Sequence, residues 1–359
     1  MRILQIINSL QIGGAQRLLA DFLPLMNRQH DVELLTLKDD PSPFAQQLHE
    51  AGIKMHCLNI KSLYNPLVAL KIRRFLKRQP RYDIIHVHLF PALYWVPLAT
   101  AGMRQHLIWT EHSTSNRRQQ KLLFRYADKM AYSQYDKIIC ISQATCNSLG
   151  EWMGAQANDS RLCVIENGID TSKFKSQKTE RQQPYTLIQV SRFEASKDQD
   201  TVIRAMPLLP QDIQLVFVGD GSRLETCKAL CEKLNVQDRV RFLGARADIA
   251  QLLSEADIAI QSSHWEGFGL TAVEAMAAGL PVIATNVDGL RQVVEGAGML
   301  FTQGDEKELA QAISMLVNTP TLYHELSEKS LQQAKYYDIS NMTDKYMEIY
   351  EAFWNSSKK

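Results

Sequence analysis

The segment from Ser263 to Ile283 holds the side chains best suited to chemistry. It reads Ser-His-Trp-Glu-Gly-Phe-Gly-Leu-Thr-Ala-Val-Glu, followed by Ala-Met-Ala-Ala-Gly-Leu-Pro-Val-Ile. The pattern predicts a glycine-containing loop that carries Glu266, and a helix that carries Glu274 one to two turns from its start. Amides at the start of a helix bind phosphate, and carboxylates accept hydrogen bonds from hydroxyl groups. The segment therefore favours a site for a phosphorylated, hydroxyl-rich ligand over an ordinary helix start with two acids.

Two cations, Arg192 and Lys197, follow the first predicted strand of the second half. Ligands of parallel α/β sheets bind at the carboxyl ends of strands, and a guanidinium fork beside an ammonium group suits a diphosphate. A solvated loop with two ordinary surface cations is the alternative. The pair Asp198 and Asp200 has the D-x-D form of some divalent-cation sites. Because this pair opens a helical pattern, we expect helix capping there and no metal.

The first half contributes a glycine pair and several histidines. Gly13 and Gly14 lie between the first predicted strand and a helix, where the backbone can turn tightly and approach an anion. A plain strand-to-helix turn explains these glycines equally well. Their spacing is not G-x-G-x-x-G, which disfavours a nicotinamide dehydrogenase. His86 and His88 lie at a strand end, and we expect them to be packed and hydrogen-bonded.

Short apolar runs alternate with helix-length segments along the whole chain, which predicts parallel sheets covered on both faces. The predicted strands are Ile3–Ile7, Val32–Leu37, Ile84–Val87, Leu107–Trp109, Lys137–Ile141, Thr186–Val190, Leu215–Gly219, Val240–Leu243, Ile258–Gln261, Val282–Thr285 and Met299–Phe301. Asp170–Pro184 has a linker composition, and Asn341–Trp354 has an apolar stripe at helical spacing. We therefore expect two doubly wound α/β domains.

Composition excludes several classes of protein. The 359 residues allow two or three domains with full cores, and the net charge of +1 disfavours a nucleic-acid binder that works by bulk charge. The six cysteines form no C-x-x-C pair, and we expect the polar first residues not to be a signal peptide, so we expect reduced thiols in the cytoplasm. The most apolar window, Leu89–Met103, is too short to span a membrane and contains two prolines. A buried helix or a substrate-facing wall is expected there.

Charge is distributed unevenly between the halves. Residues 1–168 hold 20 lysines and arginines against 13 acidic residues, whereas the remainder holds 20 against 26. The spacing in Pro66–Arg78 predicts an amphipathic helix, and a second basic cluster lies in the same half. These two basic sets are Lys71, Arg73, Arg74, Lys77 and Arg78, and then Arg117, Arg118, Lys121, Arg125 and Lys129. They favour peripheral contact with an anionic membrane, with a solvated basic face as the alternative.

The Glu266-x7-Glu274 block resembles that of the retaining glycosyltransferases of family 4, which have the GT-B fold. The supporting matches follow the family's order and are Gly13-Gly14-Ala15, Thr110-Glu111-His112, Ile165-Glu166-Asn167-Gly168-Ile169-Asp170, Ser191-Arg192-Phe193 with Lys197, and Val218-Gly219-Asp220-Gly221. The resemblance implies two Rossmann-like domains that face each other across a cleft. Residues 1–169 would bind the acceptor and 185–340 the nucleotide sugar, with 170–184 as a linker. Residues 341–359 would form a helix that crosses back to the first domain.

The resemblance also implies roles for individual residues. Arg192 and Lys197 would neutralise the leaving diphosphate, Glu274 would bind the ribose hydroxyls, and His112 would lie near the reacting sugar. The implied catalytic residues are His112, Glu266, Arg192 and Lys197. The implied donor-binding residues are Gly13, Gly14, Arg192, Lys197, Gly267, Phe268, Gly269, Leu270, Thr271 and Glu274. No metal and no cofactor are implied.

We therefore expect a retaining, metal-independent enzyme of the cytoplasm or the inner membrane face. It would move a sugar from a nucleoside diphosphate donor, by default a uridine nucleotide, to a glycan or lipid-linked acceptor in surface polysaccharide biosynthesis. Two alternatives stay open. One is a sugar-nucleotide epimerase or hydrolase on the same fold, which would turn over without an acceptor. The other is a non-catalytic subunit, which would bind the donor without turnover.

Overall fold

Two compact α/β units make up the chain. The structure is a computed structural model that describes residues 1–11, 13–40, 42–114, 122–154, 159–174 and 184–356. One unit consists of Met1–Gly168 together with Ile339–Lys359, and the other of Ile169–Asp338. Most of the expected linker, 170–184, lies outside the described residues, and Thr171–Lys173 forms a short 3-10 turn.

The first unit contains a seven-stranded parallel sheet with the strand order β3-β2-β1-β4-β5-β6-β7. Its strands are β1 (Arg2–Ile7), β2 (Asp31–Thr36), β3 (Lys54–Cys57), β4 (Ile84–His88), β5 (His106–Glu111), β6 (Lys137–Cys140) and β7 (Leu162–Val164). Its helices are α1 (Gly14–Asn27), α2 (Pro43–Glu50), α3 (Leu67–Arg78), α4 (Ala92–Thr100), α5 (Leu122–Tyr132), α6 (Gln143–Met153) and, at the chain end, α14 (Ile339–Ser356).

Successive strand residues of the first unit enter opposite hydrophobic cores, as the period of a strand requires. On β1, Ile3 and Ile7 pack into the core beneath α1 and α14, whereas Leu4 and Ile6 pack into the core beneath α3 and α4. The final helix covers the same face as α1, and the rings of Phe22 and Tyr346 lie 5.5 Å apart. The apolar stripe of the chain end is therefore buried against the first unit.

The second unit contains a six-stranded parallel sheet with the order β10-β9-β8-β11-β12-β13. Its strands are β8 (Tyr185–Val190), β9 (Ile213–Val218), β10 (Val240–Phe242), β11 (Ile258–Gln261), β12 (Val282–Thr285) and β13 (Met299–Phe301). Its helices are α7 (Gln199–Ala205), α8 (Leu224–Lys233), α9 (Ile249–Glu255), α10 (Leu270–Ala277), α11 (Leu290–Val294), α12 (Glu306–Asn318) and α13 (Pro320–Tyr336).

Every strand predicted from the sequence is present, and the structure adds two further strands, β3 and β7. These two strands form the edges of the first sheet. None of their residues is fully buried, so neither strand shows the apolar run by which central strands are recognised. The window Leu89–Met103 forms the mostly buried helix α4, which confirms the expected buried helix. Among the described residues, no helix combines the length and the apolar character needed to cross a membrane.

The strand orders locate the candidate sites. In each sheet the order reverses once, between β1 and β4 in the first unit and between β8 and β11 in the second. Ligands of doubly wound sheets bind beyond the carboxyl ends of the strands at this switch point. The glycine pair follows β1, His88 ends β4, the Arg192–Lys197 loop follows β8, and the Glu266 loop follows β11. Each predicted set therefore lies at a switch point.

Candidate active site

The loops after β8 and β11 join Lys197 to Glu266 in the second unit. The Lys197 ammonium forms an ion pair with Glu266 Oε2, and Glu266 Oε1 accepts a hydrogen bond of 3.1 Å from the Gly267 amide. The two charged side chains are only 18% and 20% exposed. A half-buried cation that is already paired with a carboxylate can also bind an incoming phosphate. Its desolvation has then already taken place on folding and adds little cost to ligand binding.

Polar groups that the sequence analysis did not single out hold the loop after β8. The buried Gln189 side chain donates to the Lys197 carbonyl at 3.1 Å, and the buried Gln199 side chain donates to the Arg192 carbonyl at 2.9 Å. Ser262 donates to the Asp198 carbonyl at 2.8 Å, which ties this loop to the one after β11. A glutamine within the apolar strand Tyr185–Val190 is the sequence signal that could have found Gln189, because a buried amide needs partners.

Three glycines let backbone segments meet closely around these loops. Gly219 and Gly221 adopt φ values of +136° and +154°, and a Cβ on either would lie 2.4 Å or less from the carbonyl oxygen of Ser191 or Phe193. A Cβ on Gly289, at φ +88°, would lie 2.4 Å from the Glu266 carbonyl oxygen. The Val218–Gly221 motif therefore supports the Arg192 loop, and only glycine fits at these positions.

The helix α10 begins directly after the Glu266 loop. Gly269 precedes it with φ +90°, so the chain turns sharply and presents the first helix amides, those of Leu270 and Thr271, beyond the strand end. Phe268 is buried, and its ring lies edge-on to the ring of Tyr337 at 5.2 Å. The ring is therefore part of the packing, and only the backbone of Phe268 is a candidate group for hydrogen bonds to a ligand. Glu274 is the fifth residue of α10 and is 1% exposed.

Arg192 and Lys197 have different surroundings. The Arg192 side chain is 72% exposed and its guanidinium pairs with Glu194 at 2.8 Å, whereas Lys197 pairs with Glu266. The structure therefore brings Lys197, rather than Arg192, into direct contact with the carboxylate of the Glu-x7-Glu block. An exposed arginine at a loop is able to turn toward a bound anion with little loss of existing contacts.

The expected helix capping by Asp198 and Asp200 is only partly correct. Asp198 holds the cap position of α7 with φ +42°, but its carboxylate accepts from the Thr201 hydroxyl at 2.8 Å and makes no bond to a helix amide. Asp200 instead receives two hydrogen bonds of 2.8 Å from Arg223. Both carboxylates therefore bond side chains rather than the first amides of α7. No cluster of three or more metal-ligating side chains occurs within the described ranges.

The first glycine of the pair has a backbone conformation that any residue can adopt. Gly13 is extended, with φ −175° and ψ 163°, and Gly14 is the first residue of α1. A Cβ on Gly13 would meet only the end of the flexible Gln16 side chain. The chain bends at Gly13 into α1, but neither glycine has a φ in the left-handed region, so this turn requires no left-handed residue.

The histidines of the first unit share one face of the sheet. His86 and His88 lie on β4, and His112 follows β5. His88 Nδ1 lies 3.1 Å from His112 Nε2, and His86 Nε2 lies 2.7 Å from Thr110 Oγ1. Both strand histidines are fully buried and hydrogen-bonded, which confirms the prediction for them. Burial lowers the pKa of His112 to about 4 and holds the pKa values of His86 and His88 well below the ordinary value.

Lowering the pH from 7 to 5 is expected to decrease the free energy of unfolding. In the unfolded chain these histidines titrate near 6.5, at about the ordinary value, whereas in the folded chain they stay neutral. The unfolded chain therefore binds more protons below about pH 6.5, and stability falls with pH through that window. For His112 the loss levels off near its folded value of about 4. Urea unfolding midpoints at pH 7, 6 and 5 measure the effect.

A matched pair of variants assigns this pH dependence. His86→Gln should flatten the decline of the midpoint between pH 7 and 5, because one buried neutral ring is removed. His324 is exposed and makes no part of this buried cluster, so His324→Gln should keep the decline of the wild type. Equal slopes in all three proteins would show that other groups cause the decline.

Two family models match the chain. "Glycosyltransferase Family 4" matches residues 12–173, and "Glycosyl transferases group 1" matches residues 170–333. The first match covers the glycine pair and His112, and the second covers Arg192, Lys197 and the Glu266–Glu274 block. The two matches meet near the boundary between the compact units.

Curated relatives and solved structures agree with these matches. The chain is 26% identical to an N-acetyl-alpha-D-glucosaminyl L-malate synthase of Bacillus anthracis, over 84% of this chain and 83% of the relative. It is 24% identical to a UDP-Gal:alpha-D-GlcNAc-diphosphoundecaprenol alpha-1,3-galactosyltransferase of Escherichia coli, over 87% of this chain and 86% of that protein. The crystal structure of Anabaena Alr3699/HepE in complex with UDP and glucose superposes with a TM-score of 0.85 at 22% identity, covering 97% and 99% of the two chains.

Proposed function

The chain belongs to the family 4, group 1 glycosyltransferases and has their GT-B fold, and from this premise we propose that it is a retaining, metal-independent enzyme with a nucleoside diphosphate sugar donor. The acceptor we propose is a glycan, and specifically a lipid-linked one, in surface polysaccharide biosynthesis. The observation that carries the donor assignment is the half-buried pair of Lys197 and Glu266 at the switch point of the second sheet.

The second unit offers a complete set of groups for a nucleoside diphosphate. Lys197 and Arg192 carry positive charge for the two phosphates, and the first amides of α10 add hydrogen-bond donors without net charge. The buried carboxylate of Glu274 suits the two ribose hydroxyls, since an ionised carboxylate accepts two hydrogen bonds. The UDP bound to the Anabaena structure supports uridine as the base.

The proposed reaction exchanges one bond at the anomeric carbon. The bond from this carbon to the diphosphate oxygen breaks, and the pair of electrons leaves with the diphosphate. Lys197, Arg192 and the loop amides stabilise the charge that grows on that oxygen. The acceptor hydroxyl then bonds to the anomeric carbon on the face that the diphosphate leaves, which retains the configuration. The hydroxyl proton passes to a diphosphate oxygen, so the step requires no protein nucleophile.

The first unit contributes two features to this proposal. The glycine pair lets an anion approach the backbone amides closely, because neither residue has a Cβ. His112 is neutral at physiological pH because burial lowers its pKa to about 4, so it offers a hydrogen bond rather than a charge. A neutral imidazole suits a sugar hydroxyl, and we assign it to the transferred sugar.

Product analysis with a panel of donors and acceptors tests the proposal. Purified enzyme is incubated with UDP-, GDP- and ADP-sugars, with and without a diphosphate-lipid glycan, and with and without EDTA. We expect one donor to release its nucleoside diphosphate only when the acceptor is present, equally well in EDTA. The product linkage should have the anomeric configuration of the donor by NMR.

Each part of the proposal has its own contrary result. Release without an acceptor would favour the hydrolase or epimerase alternative, and loss of activity in EDTA would contradict metal independence. An inverted linkage would exclude the retaining mechanism. Transfer to a small water-soluble acceptor alone would replace the lipid-linked acceptor, and the malate synthase relative shows in its name that such acceptors occur among similar proteins.

A membrane surface fits the exposed side of α3. This helix exposes Leu67 and Leu70 beside Lys71, Arg74 and other cations. Arg73 does not belong to this face, contrary to the expectation, because its guanidinium binds the carbonyls of residues 99 and 101 at the end of α4. The second expected cluster is reduced as well. Arg125 binds the Trp152 carbonyl at 2.8 Å, Lys129 is exposed, and Arg117, Arg118 and Lys121 lie outside the described residues.

Cosedimentation with vesicles tests whether this face of α3 binds anionic lipid. We expect binding to vesicles that contain phosphatidylglycerol, weaker binding to pure phosphatidylcholine, and a decrease as salt is raised. Replacing both Leu67 and Leu70 with serine should decrease binding about tenfold. The double variant Leu208→Ser and Met315→Ser removes comparable exposed side chains from the second unit and should bind like the wild type. Equal losses in both double variants would assign the binding to another surface.

A further inference from the structure

We propose that a buried chain of hydrogen bonds, which Tyr350 of the final helix completes, sets the tautomer of His112 and leaves His112 Nδ1 as the acceptor for a hydroxyl of the transferred sugar. Tyr350, Gln5 and His88 are thereby positioning residues for the transfer reaction. The inference rests on the proposed function only in that His112 contacts the sugar. The chain of hydrogen bonds itself lies entirely within the first unit.

The part of the chain nearest His112 runs across the sheet to the final helix. His112 Nε2 lies 3.1 Å from His88 Nδ1, and His88 Nε2 lies 2.9 Å from Gln5 Oε1. Gln5 Nε2 donates to the Tyr350 hydroxyl at 3.1 Å. Strands β1 and β4, the residue that follows β5, and the helix α14 thus contribute one member each.

The far part of this chain of hydrogen bonds runs from the helix α14 back to the sheet. The Tyr350 hydroxyl makes a short hydrogen bond with His86 Nδ1, and His86 Nε2 lies 2.7 Å from Thr110 Oγ1. Thr110 Oγ1 lies 3.3 Å from the Tyr346 hydroxyl. Tyr346 lies one turn before Tyr350 on the same helix and is the last member of the chain of hydrogen bonds.

The strand period explains why these groups meet. Residues 5, 86 and 110 lie on the sheet face that α14 covers, since their neighbours Ile3, Ile84 and Ile108 pack into the core beneath that helix. Gln5 pairs in register with His86, and His88 with Thr110. The alternate residue Glu111 points to the opposite face, where it accepts from Trp109 and Tyr132.

Neutral rings make the chain directional. Burial holds the pKa values of His86 and His88 well below the ordinary value and that of His112 at about 4, so each ring carries a single N–H at neutral pH. Burial likewise raises the pKa of Tyr350, so its hydroxyl keeps a proton. A ring with one N–H that has two partners must donate to one and accept from the other.

The amide of Gln5 decides the direction. Its oxygen faces His88, so His88 Nε2 must carry the proton and donate to Gln5. His88 Nδ1 then accepts, which requires the proton of His112 to lie on Nε2 and leaves His112 Nδ1 without one. On the other side, the Gln5 amino group donates a hydrogen bond to the Tyr350 hydroxyl. This hydroxyl then donates its own hydrogen bond to His86 Nδ1. Reversing the amide would reverse every bond and move the His112 proton to Nδ1.

With the Gln5 oxygen toward His88, the Tyr350 hydroxyl is the acceptor of the Gln5 amino group and the donor to His86. Without this hydroxyl, the Gln5 amino group loses its acceptor and His86 Nδ1 loses its donor. A buried amino group needs an acceptor. In the variant, the reversed Gln5 amide, whose amino group donates to His88, is therefore no less stable than the original orientation. Tyr350→Phe should therefore allow the second tautomer of His112.

NMR of the full-length enzyme with ring-¹⁵N histidine tests this. The protein has nine histidines, and the signal missing in His112→Gln identifies His112. We expect the Nε2–H tautomer in the wild type and in Tyr346→Phe, the matched control at the far end of the chain. In Tyr350→Phe we expect a mixture that contains the Nδ1–H form. An Nδ1–H tautomer in the wild type, or an unchanged His112 signal in Tyr350→Phe, would overturn the proposal.

Kinetics separate positioning from mere support of the fold. Tyr350→Phe should lower kcat on the order of tenfold at an unchanged donor KM, because the donor groups of the second unit are untouched. Tyr346→Phe should keep kcat. A fall of both kcat and thermal midpoint to the same extent in the two variants would mean that the tyrosines only stabilise α14. The NMR result stands even where no sugar transfer is found, so failure of the proposed function and failure of this inference are distinguishable.

Discussion

Replacing Lys197 with alanine is expected to lower kcat/KM for sugar transfer by about 100-fold to 1,000-fold, the usual loss when one preorganised donor to a developing negative charge is removed. The variant deletes the ammonium that faces Glu266 and leaves that half-buried carboxylate without its cation. Both changes disfavour the diphosphate, because positive charge is lost and negative charge becomes uncompensated. Initial rates at several donor concentrations measure the effect.

A lysine of the same unit provides the control. Lys228 pairs with Glu225 at 2.8 Å on the exposed surface of α8, so Lys228→Ala also breaks a lysine–glutamate pair. This variant should keep the wild-type kcat/KM, since exposed pairs contribute little. If Lys197→Ala lost less than tenfold, Lys197 would not be the cation that stabilises the leaving group. The role would then pass to Arg192, which the same assay of Arg192→Ala would show.

Replacing Glu274 with glutamine is expected to weaken binding of the nucleoside diphosphate by about 10-fold to 100-fold. Glutamine keeps the shape of the side chain but offers one acceptor oxygen in place of two, and it removes the charge. A hydrogen bond to a charged group is worth about 1.5–3 kcal/mol, and about 1.4 kcal/mol corresponds to tenfold in affinity. Calorimetric titration with UDP measures the dissociation constant.

The control for this substitution is an exposed acid of the same unit. Glu255 ends α9 on the surface, and Glu255→Gln should bind the nucleotide like the wild type. Glu274 is buried, so the substitution can also destabilise the protein around α10. The unfolding midpoint of the variant without ligand separates such destabilisation from the loss of a contact with the nucleotide. Unchanged affinity in a folded Glu274→Gln variant would remove the ribose assignment and leave the phosphate assignment standing.

The motifs of the second unit could be predicted from the sequence because each is contiguous. Gly267 to Glu274 contains its own strand end, turn and helix start, and the local pattern of glycines and apolar residues determines this conformation. Central strands were equally visible because both of their faces are buried. The edge strands β3 and β7 were not, since half-exposed strands lack a continuous apolar run.

Side-chain partners were less predictable from the sequence. The D-x-D aspartates and Arg73 occupy positions consistent with capping and with an exposed basic face, yet Arg223 binds Asp200 and α4 binds Arg73. Each of these bonds joins residues more than twenty positions apart. A charged side chain with several neighbours chooses the one that geometry allows, and local spacing does not contain that geometry.

The sequence by itself determined the family, the alternation of strands and helices, and the Glu266–Glu274 block, because all three are encoded in short segments. Only the tertiary structure decided that Lys197 pairs with Glu266 and that Tyr350 lies against Gln5 and His86. The tyrosine stands 345 residues from Gln5 along the chain. The apolar stripe of Asn341–Trp354 predicted a helix. Which face of the first sheet this helix covers depends on how the end of the chain returns to the sheet, and only the tertiary structure shows that path.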